Sequence, residues 1–425
     1  MNTVQLALKN ILKNPLNLLM STILFGLGVG LITFLLLLND QLKDKFDKNL
    51  AGIDLVVGAK GSPLQMILCN MYHIDNPTGN IPIQYALPLL REGHPLIKMA
   101  VPLSLGDNYK SYRIVGTNHD FLGLYQGQIR SGKLWKNDLE VTIGNAVAEE
   151  TGLKLGDTFE SAHGLSMDDH VHEGHAFVVT GILEGTGSVL DQLILTNTAS
   201  IWKVHDHEDE EHEHDEDEHH EHHDHDDAHQ HDNSKADLAH HPENEITSVL
   251  IQFKNKTNFQ ALNFGRNINE NTEMQAASPA IEINRLYNMI GIGTDVLKGL
   301  AILIATVSGL FIFILLLKSM RERRYELAIM RVLGAGRMKL FTLIITEGMI
   351  LALLGYLTGM ILGHAGMELV SKFLKDDFRY VFTGLHWMTE EVFILIIAVV
   401  LGLIAAFIPA IQAAKTDLNT TLSKK

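Results

Sequence analysis

The sequence predicts an α-helical membrane protein: four transmembrane helices, with an α+β extracytoplasmic domain inserted between helices 1 and 2. Three observations predict it. Four apolar runs, roughly Leu16–Leu38, Gly299–Leu317, Leu340–Gly363 and Val392–Ile411, each reach the ~20 residues that a bilayer core requires. Between the first and second lie short runs rich in β-branched residues, bounded by Gly, Asn or Asp. Basic residues flank the runs on one side: Lys9 and Lys13 before the first, seven Lys or Arg in the Lys318–Lys339 loop, and Lys415, Lys424 and Lys425 at the end. Short basic loops mark the cytoplasmic face. The division follows: 1–15 cytoplasmic, 16–38 helix 1, 39–298 the outer domain with stalk helices, 299–317 helix 2, 318–339 a cytoplasmic helix, 340–363 helix 3, 364–391 an outer loop, 392–411 helix 4, and 412–425 a cytoplasmic tail.

Helix 1 reads as an uncleaved anchor, because Asn39-Asp40-Gln41 follows it where a signal peptide has a small-x-small cleavage site. Gly26 and Gly30 form a GxxxG pair, repeated at Gly355, Gly359 and Gly363 in helix 3, which predicts tight helix packing. Leu42–Phe46 continues helix 1 as a stalk. Ile53 to Pro82 reads as a strand, a Gly/Ser/Pro turn, a short apolar helix and a polar loop. Its GAKGS lacks the G-x-x-x-x-G-K-[ST] spacing of a phosphate loop, so these residues form no ATP site. Further on, Tyr112–Val115, Glu140–Ile143, Phe177–Leu183, Leu193–Leu195 and Val249–Phe253 read as strands. Asn145–Thr151 reads as a helix stopped by Gly152. Thr257-x-x-Gln260 signals a capping box for a helix running towards Ile268, and Ile281–Lys298 reads as the second stalk. Within helix 3, Glu347 is a carboxyl in an apolar span, costly unless paired, and structural pairing is its expected role.

In the basic loop, Tyr325, Leu327, Ile329, Met330 and Leu333 fall on one broad helical face, and Gly334 and Gly336 end the helix. Such a helix lies on anionic membrane lipid or meets a cytoplasmic partner; composition alone does not separate the two.

The motif RERRYELAIMRVLGAGRMKL, the span with Glu347 behind it, the closing FIPAIQAAKTDL (Phe407 to Leu418) and the opening NILKNPLNLLMSTILFGLGVGLI together resemble one class of ABC-transporter permease, the macrolide-exporter, lipoprotein-release and FtsX-like (MacB-type) superfamily. The resemblance implies a bacterial inner-membrane permease subunit, itself no enzyme, working with a separate ABC ATPase subunit and a second permease copy. ATP binding and hydrolysis there would drive mechanical motion of the periplasmic domain against a periplasmic or lipoprotein partner. It further implies that the loop helix docks on the ATPase through Arg321, Glu322, Arg323, Glu326, Met330, Arg331, Gly334, Ala335 and Arg337. DLVVGAKGSPLQ with YHIDNPTGNIP resembles a subgroup associated with metal or lipoprotein handling. The alternative within the resemblance is an FtsX-like signalling scaffold that regulates an extracytoplasmic partner such as a cell-wall hydrolase.

The formal charge of −16 is local: 18 Asp and Glu against one Lys fall between His205 and Glu245, and the rest of the chain is close to neutral. No nucleic-acid partner is expected. Thirteen of the 22 histidines fall between His205 and His241. With no apolar periodicity, residues 204–245 read as a disordered loop. Its imidazoles and carboxylates, with His205, His207, His212, His214, His219, His220, His222, His223 and His225 foremost, suit Zn²⁺; a low-complexity insertion with incidental metal affinity is the bland alternative. A second cluster, His163, His170, His172 and His175 with Asp168 and Asp169, is either a metal site or a polar hairpin tip. His73 with Asp75 is a third metal candidate. Cys69, the only cysteine, excludes an intramolecular disulfide and a Cys₄ or Cys₂His₂ site, and no H-E-x-x-H occurs.

Overall fold

A computed structural model describes residues 3–162, 171–205, 238–378 and 382–415. The chain divides into two compact units, 1–43 with 288–425, and 44–287.

The first unit is helical. Its elements are α1 (Thr3–Leu12), α2 (Pro15–Asn49), α9 (Pro279–Glu322), α10 (Arg324–Val332), α11 (Arg337–Phe378) and α12 (Glu390–Ala414), the unit boundaries falling within α2 and α9. Among the described residues four helices, α2, α9, α11 and α12, are long and apolar enough to cross a membrane. Three outrun the spans read from the sequence. The helix α2 continues through Leu42–Phe46 to Asn49, α9 starts at Pro279 and includes the expected second stalk, and α11 runs on to Phe378. Hydropathy marks only where a helix is apolar; nothing at Leu38 or Lys298 breaks the backbone hydrogen-bond ladder.

Glycine packs α2 against α11. A Cβ added at Gly359 would lie 2.5 Å from Val29 Cβ and 2.9 Å from the Gly26 carbonyl, and one at Gly363 would lie 2.8 Å from Thr33 Cβ. The GxxxG pattern thus lets two backbones approach where no side chain fits. Thr358 Oγ1 donates to the Thr22 carbonyl across the same seam.

The second unit is α+β. Its elements are β1 (Leu55–Ala59), α3 (Pro63–Tyr72), β2 (Ile81–Pro82), α4 (Ile83–Leu90), β3 (Ile97–Tyr109), β4 (Tyr112–Thr117), α5 (Asp120–Leu124), β5 (Ile129–Gly132), β6 (Glu140–Ile143), α6 (Asn145–Thr151), β7 (Thr158–Ala162), β8 (Val171–Leu183), β9 (Ile194–Thr196), α7 (Thr198–His205), β10 (Glu245–Ile246), β11 (Ser248–Phe253), α8 (Phe259–Asn271) and β12 (Met274–Ala277). Ten strands form one sheet in the order β12-β1-β11-β3-β4-β9-β6-β8-β5, with β7 joining β3 and β8, while β10 pairs with β2. Three core clusters pack on it, one around Val56, Met71, Phe121, Trp135 and Leu250, a second around Val57, Ile83, Ile246 and Ile251, and a third around Ile114, Val141, Phe177 and Ile194.

Local signals hold well here. Glu140–Ile143 and Asn145–Thr151 form as read, with Gly152 left-handed at φ +78°. At α8 the capping-box reading is corrected. Asn258, not Thr257, is the N-cap, its side chain accepting from Gln260 N at 2.9 Å, while the Thr257 hydroxyl donates to Asn255. The thirteen-residue β3 was not legible, because Pro102 and Gly106 interrupt a run buried on both faces. Edge strand β12 is blunted by Asn269, whose amide takes both the N–H and the C=O of Ala276.

His73 ends α3 in the left-handed region at φ 54°. Both its ring nitrogens are buried without a hydrogen-bond partner among the described residues. Burial, and then the neighbouring Arg113 charge, push its pKa down to about 3.

Two predictions follow from this packing. Gly359→Val should lower the stability of the full chain in nanodiscs by about 1–3 kcal/mol, read as a lower Tm; an unchanged Tm contradicts the close approach. For His73 the folded pKa lies below the unfolded value of ~6.5, so its share of stability is present above that pH. It is lost between about 6.5 and 3, at ~1.4 kcal/mol per pH unit, because only the unfolded state takes the proton. His73→Asn, which suits a left-handed cap, should flatten the acid limb of the melting profile by that slope.

Candidate functional site

The site grows from one buried carboxylate. Glu347, on α11, is 1% exposed. Its Oε1 accepts from Asn10 Nδ2 at 2.8 Å and from Arg323 Nη2 at 3.1 Å, and its Oε2 lies 3.0 Å from the same Nη2. Arg323 Nη2 also donates to Ser319 Oγ at 2.8 Å. Pairing is therefore Glu347's role in the fold. A cavity of about 30 Å³ beside it, polar through Asn14, Asn17 and Ser319, has room for water.

Arg323 is also the residue at which the long helix stops. Its backbone leaves the helical region (φ −100°, ψ 16°), and α10 begins on the next residue. The C-terminal end of α10 is closed by Gly334 at φ +98°, with Ala335 N–H donating to the Met330 carbonyl. Nine residues are thus set off between two fixed ends.

The single apolar face expected for this helix is split. Leu327 is buried among Ala7, Met320, Leu340, Leu343, Ile344, Ala410 and Ala413, with Met330 half-buried beside them, and Ala328 is buried as well. Tyr325, Ile329, Val332 and Leu333 face outward at 60, 37, 62 and 81% exposure. Spacings of four and seven or eight residues put these four on one stripe, roughly opposite Leu327. Lys13, just past the end of α1, reaches Glu326 at 3.3 Å, an exposed pair of small energetic weight.

The residues predicted to dock therefore separate. Arg321, Glu322, Glu326, Gly334 and Arg337 are exposed, and Arg331 and Ala335 partly so. Arg323 is turned inward, its side chain 11% exposed, and Met330 packs into the core. Arg323 was grouped with the outer residues because a basic run gives no sign of which cation a distant carboxylate takes. Asn10 went unnoticed for the same reason: 337 residues separate it from Glu347.

The metal candidates are placed as follows. His172 and His175 lie on β8 and His205 ends α7, their side chains outside the described ones. His163, His170, His207, His212, His214, His219, His220, His222, His223 and His225 lie outside the described residues. Among the described residues no group of three or more His, Cys, Asp or Glu is disposed to hold a metal ion. His73 stands beside the Arg113 cation, which donates to the Asp75 carbonyl and to Cys69 Sγ, surroundings unfavourable to a metal.

Residues 299–418 match the family described as FtsX-like permease C-terminal. The chain is similar to the macrolide export ATP-binding/permease protein MacB of Psychrobacter cryohalolentis, 26% identical over 131 residues, which are 31% of this chain and 19% of that protein. It is also similar to MacB of Psychrobacter arcticus, 25% identical over 131 residues with the same coverage. The match thus spans about a fifth of those relatives' length. Residues 299–418 are of the FtsX- and MacB-type ABC-permease superfamily, and the four long apolar helices α2, α9, α11 and α12 indicate a membrane protein.

Removing the carboxylate by Glu347→Ala leaves Arg323 buried without its partner and should cost about 3–5 kcal/mol. Replacing both, Glu347→Leu with Arg323→Met, should recover a large part of that in a thermal melt. A double variant no more stable than Glu347→Ala argues against the pair as the cause.

Proposed function

We propose that this chain, of FtsX/MacB-type permease ancestry, is the transmembrane subunit of an ABC system, and that α10 is the surface on which a separate ATPase subunit docks. The observation that carries the reading is the outward stripe Tyr325, Ile329, Val332 and Leu333, apolar, rimmed by Arg321 and Arg324, on a helix fixed to α11 through Arg323 and Glu347. Exposed aromatic and aliphatic anchors beside arginine are the composition of interface centres.

ATP acts in this scheme as a ligand with different affinities for two states. Closure of the ATPase pair pushes on α10, and the buried ion pair passes the push to α11 without slack. The long α2 and α9 carry the movement to the domain between them, where it does work on an extracytoplasmic partner. A homodimer is the simplest assembly with two ATPases. The four apolar runs 16–38, 299–317, 340–363 and 392–411 hold no Asp, Glu, Lys, Arg or His besides Glu347, which favours mechanical work over ion conduction through the helices. Residues 205–241 would bind several Zn²⁺ ions weakly, which ties the task to zinc handling, lipoprotein release or metal export. The signalling-scaffold reading shares the docking helix and differs only in the outer partner.

Ile329→Asp with Leu333→Asp puts two charges on the stripe. In a reconstituted complex it should reduce permease-dependent change in ATPase activity at least tenfold, the weight of one 1.4 kcal/mol contact, with the Tm unchanged. Full coupling in that variant overturns the docking assignment. For zinc, calorimetry on the full chain should show multiple weak sites that vanish when 205–241 is deleted; a tight site that survives deletion points instead to the His163–His175 segment.

A further inference from the structure

The α11–α12 connection contains a second buried carboxylate, and its partner is not an arginine. Glu391, near the start of α12, is 3% exposed, and its Oε1 accepts from Met388 N at 3.2 Å. His364, on α11, places Nε2 3.3 Å from Glu391 Oε1, the two side chains 17 and 4% exposed. His364 Nδ1 faces the Gly384 carbonyl, which only accepts, so Nδ1 carries a hydrogen there. Nε2 and Glu391 Oε2 are both buried with no aligned hydrogen-bond partner among the described residues.

From this geometry we infer that His364 and Glu391 form a proton-binding site that fastens the loop 382–389, and that the loop opens when the proton leaves. A carboxylate removed from water is strongly disfavoured unless a positive charge neutralises it. Among the described residues His364 is the only cation-forming group in ion-pair contact with Glu391. A neutral imidazole with its hydrogen on Nδ1 would turn a bare lone pair towards that carboxylate. The pair must therefore hold one further proton, either as imidazolium facing carboxylate or as a carboxylic acid donating to Nε2. Both forms are neutral overall and differ only in where the proton sits.

The same two side chains grip the loop. His364 holds the Gly384 carbonyl, and Glu391 holds the Met388 amide. Gly384 is also held through its N–H by Glu368 Oε2 at 2.9 Å, and a Cβ there would run into the His364 carbonyl. Gln41 on α2 makes reciprocal bonds with the backbone of Thr383, each 2.9 Å, and Ser371 Oγ donates to the Phe382 carbonyl. When the loop lifts, water reaches both His364 and Glu391, and the demand for neutrality disappears. By linkage, whatever releases the loop releases the proton, and acid favours the fastened loop. The positive-inside assignment puts the loop outside the cytoplasm, so the pH it reads is the external one.

Other titratable groups face this region. Tyr356 donates its hydroxyl to the Glu391 main-chain carbonyl, Glu368 bonds Gly384, and His386 lies 3.2 Å from Asp40. The last pair is half exposed, with side chains 49 and 54% accessible, and is solvated by water. Glu390 is exposed and bonded to Thr389.

The test is hydrogen exchange on the full chain in lipid nanodiscs between pH 6 and 8.5, corrected for the intrinsic pH dependence of amide exchange. The amides of Thr383, Gly384 and Met388 report opening, and those of α2 report the fold. The expected result is an opening constant that rises with pH, approaching tenfold per unit where one proton is lost. Glu391→Gln and His364→Gln should each make it flat, while His386→Gln should leave the slope intact. An opening constant independent of pH in the unsubstituted protein overturns the proposal, and this arm needs no variant to fold. A slope that persists in Glu391→Gln, or vanishes in His386→Gln, overturns it as well.

Discussion

The helical unit depends on a constraint that is easily stated: a carboxylate cannot sit uncompensated in an apolar span. Glu347 sits there, and its surroundings meet the constraint from two directions. Arg323 supplies a guanidinium, and Asn10 adds a neutral donor. For Arg323 to reach it, the basic run after Glu322 must fold back towards the span. The backbone break at Arg323 and the start of α10 are the local form of that return. The short helix is thus not an independent feature of a basic loop. Its N-terminal end is set by an electrostatic requirement that originates on another helix.

Close backbone packing supplies the second support. With α2 and α11 in contact through Gly26, Gly30, Gly359 and Gly363, the two helices have little freedom to slide. In lipid the driving force for association is fit and hydrogen bonding rather than exclusion of water, so small residues count for more than large ones. The close seam fits the mechanical role proposed for this unit.

What the sequence disclosed, and what it hid, divides by range. Helix α6 and its Gly152 stop, strand β6 and the glycine pattern are written within a few neighbouring residues, and they were legible. The cap of α8 was missed by one residue because Thr257 and Asn258 are both good caps and only packing chooses between them. The pairing of Asn10 with Glu347, the use of Asn269 to close the β12 edge, and the burial of Arg323 depend on residues brought together by the whole fold. No periodicity encodes them. The split of the α10 face belongs to the same class: amphipathicity shows that a helix has an apolar side, but not that one apolar stripe faces the core and another the solvent.

The two buried carboxylates, finally, explain each other's different partners. Glu347 is answered by a guanidinium and Glu391 by an imidazole. A guanidinium keeps its charge whatever the pH, so a contact that must persist through every cycle is suited to arginine. An imidazole ordinarily titrates near pH 6.5, so its hold on a carboxylate is conditional. The unconditional pair stands at the base of the helix proposed to receive force. The second stands beside the loop 382–389 between α11 and α12. The same desolvation cost is thus met by a guanidinium in one place and an imidazole in the other, and the releasable joint proposed above rests on that single choice of cation.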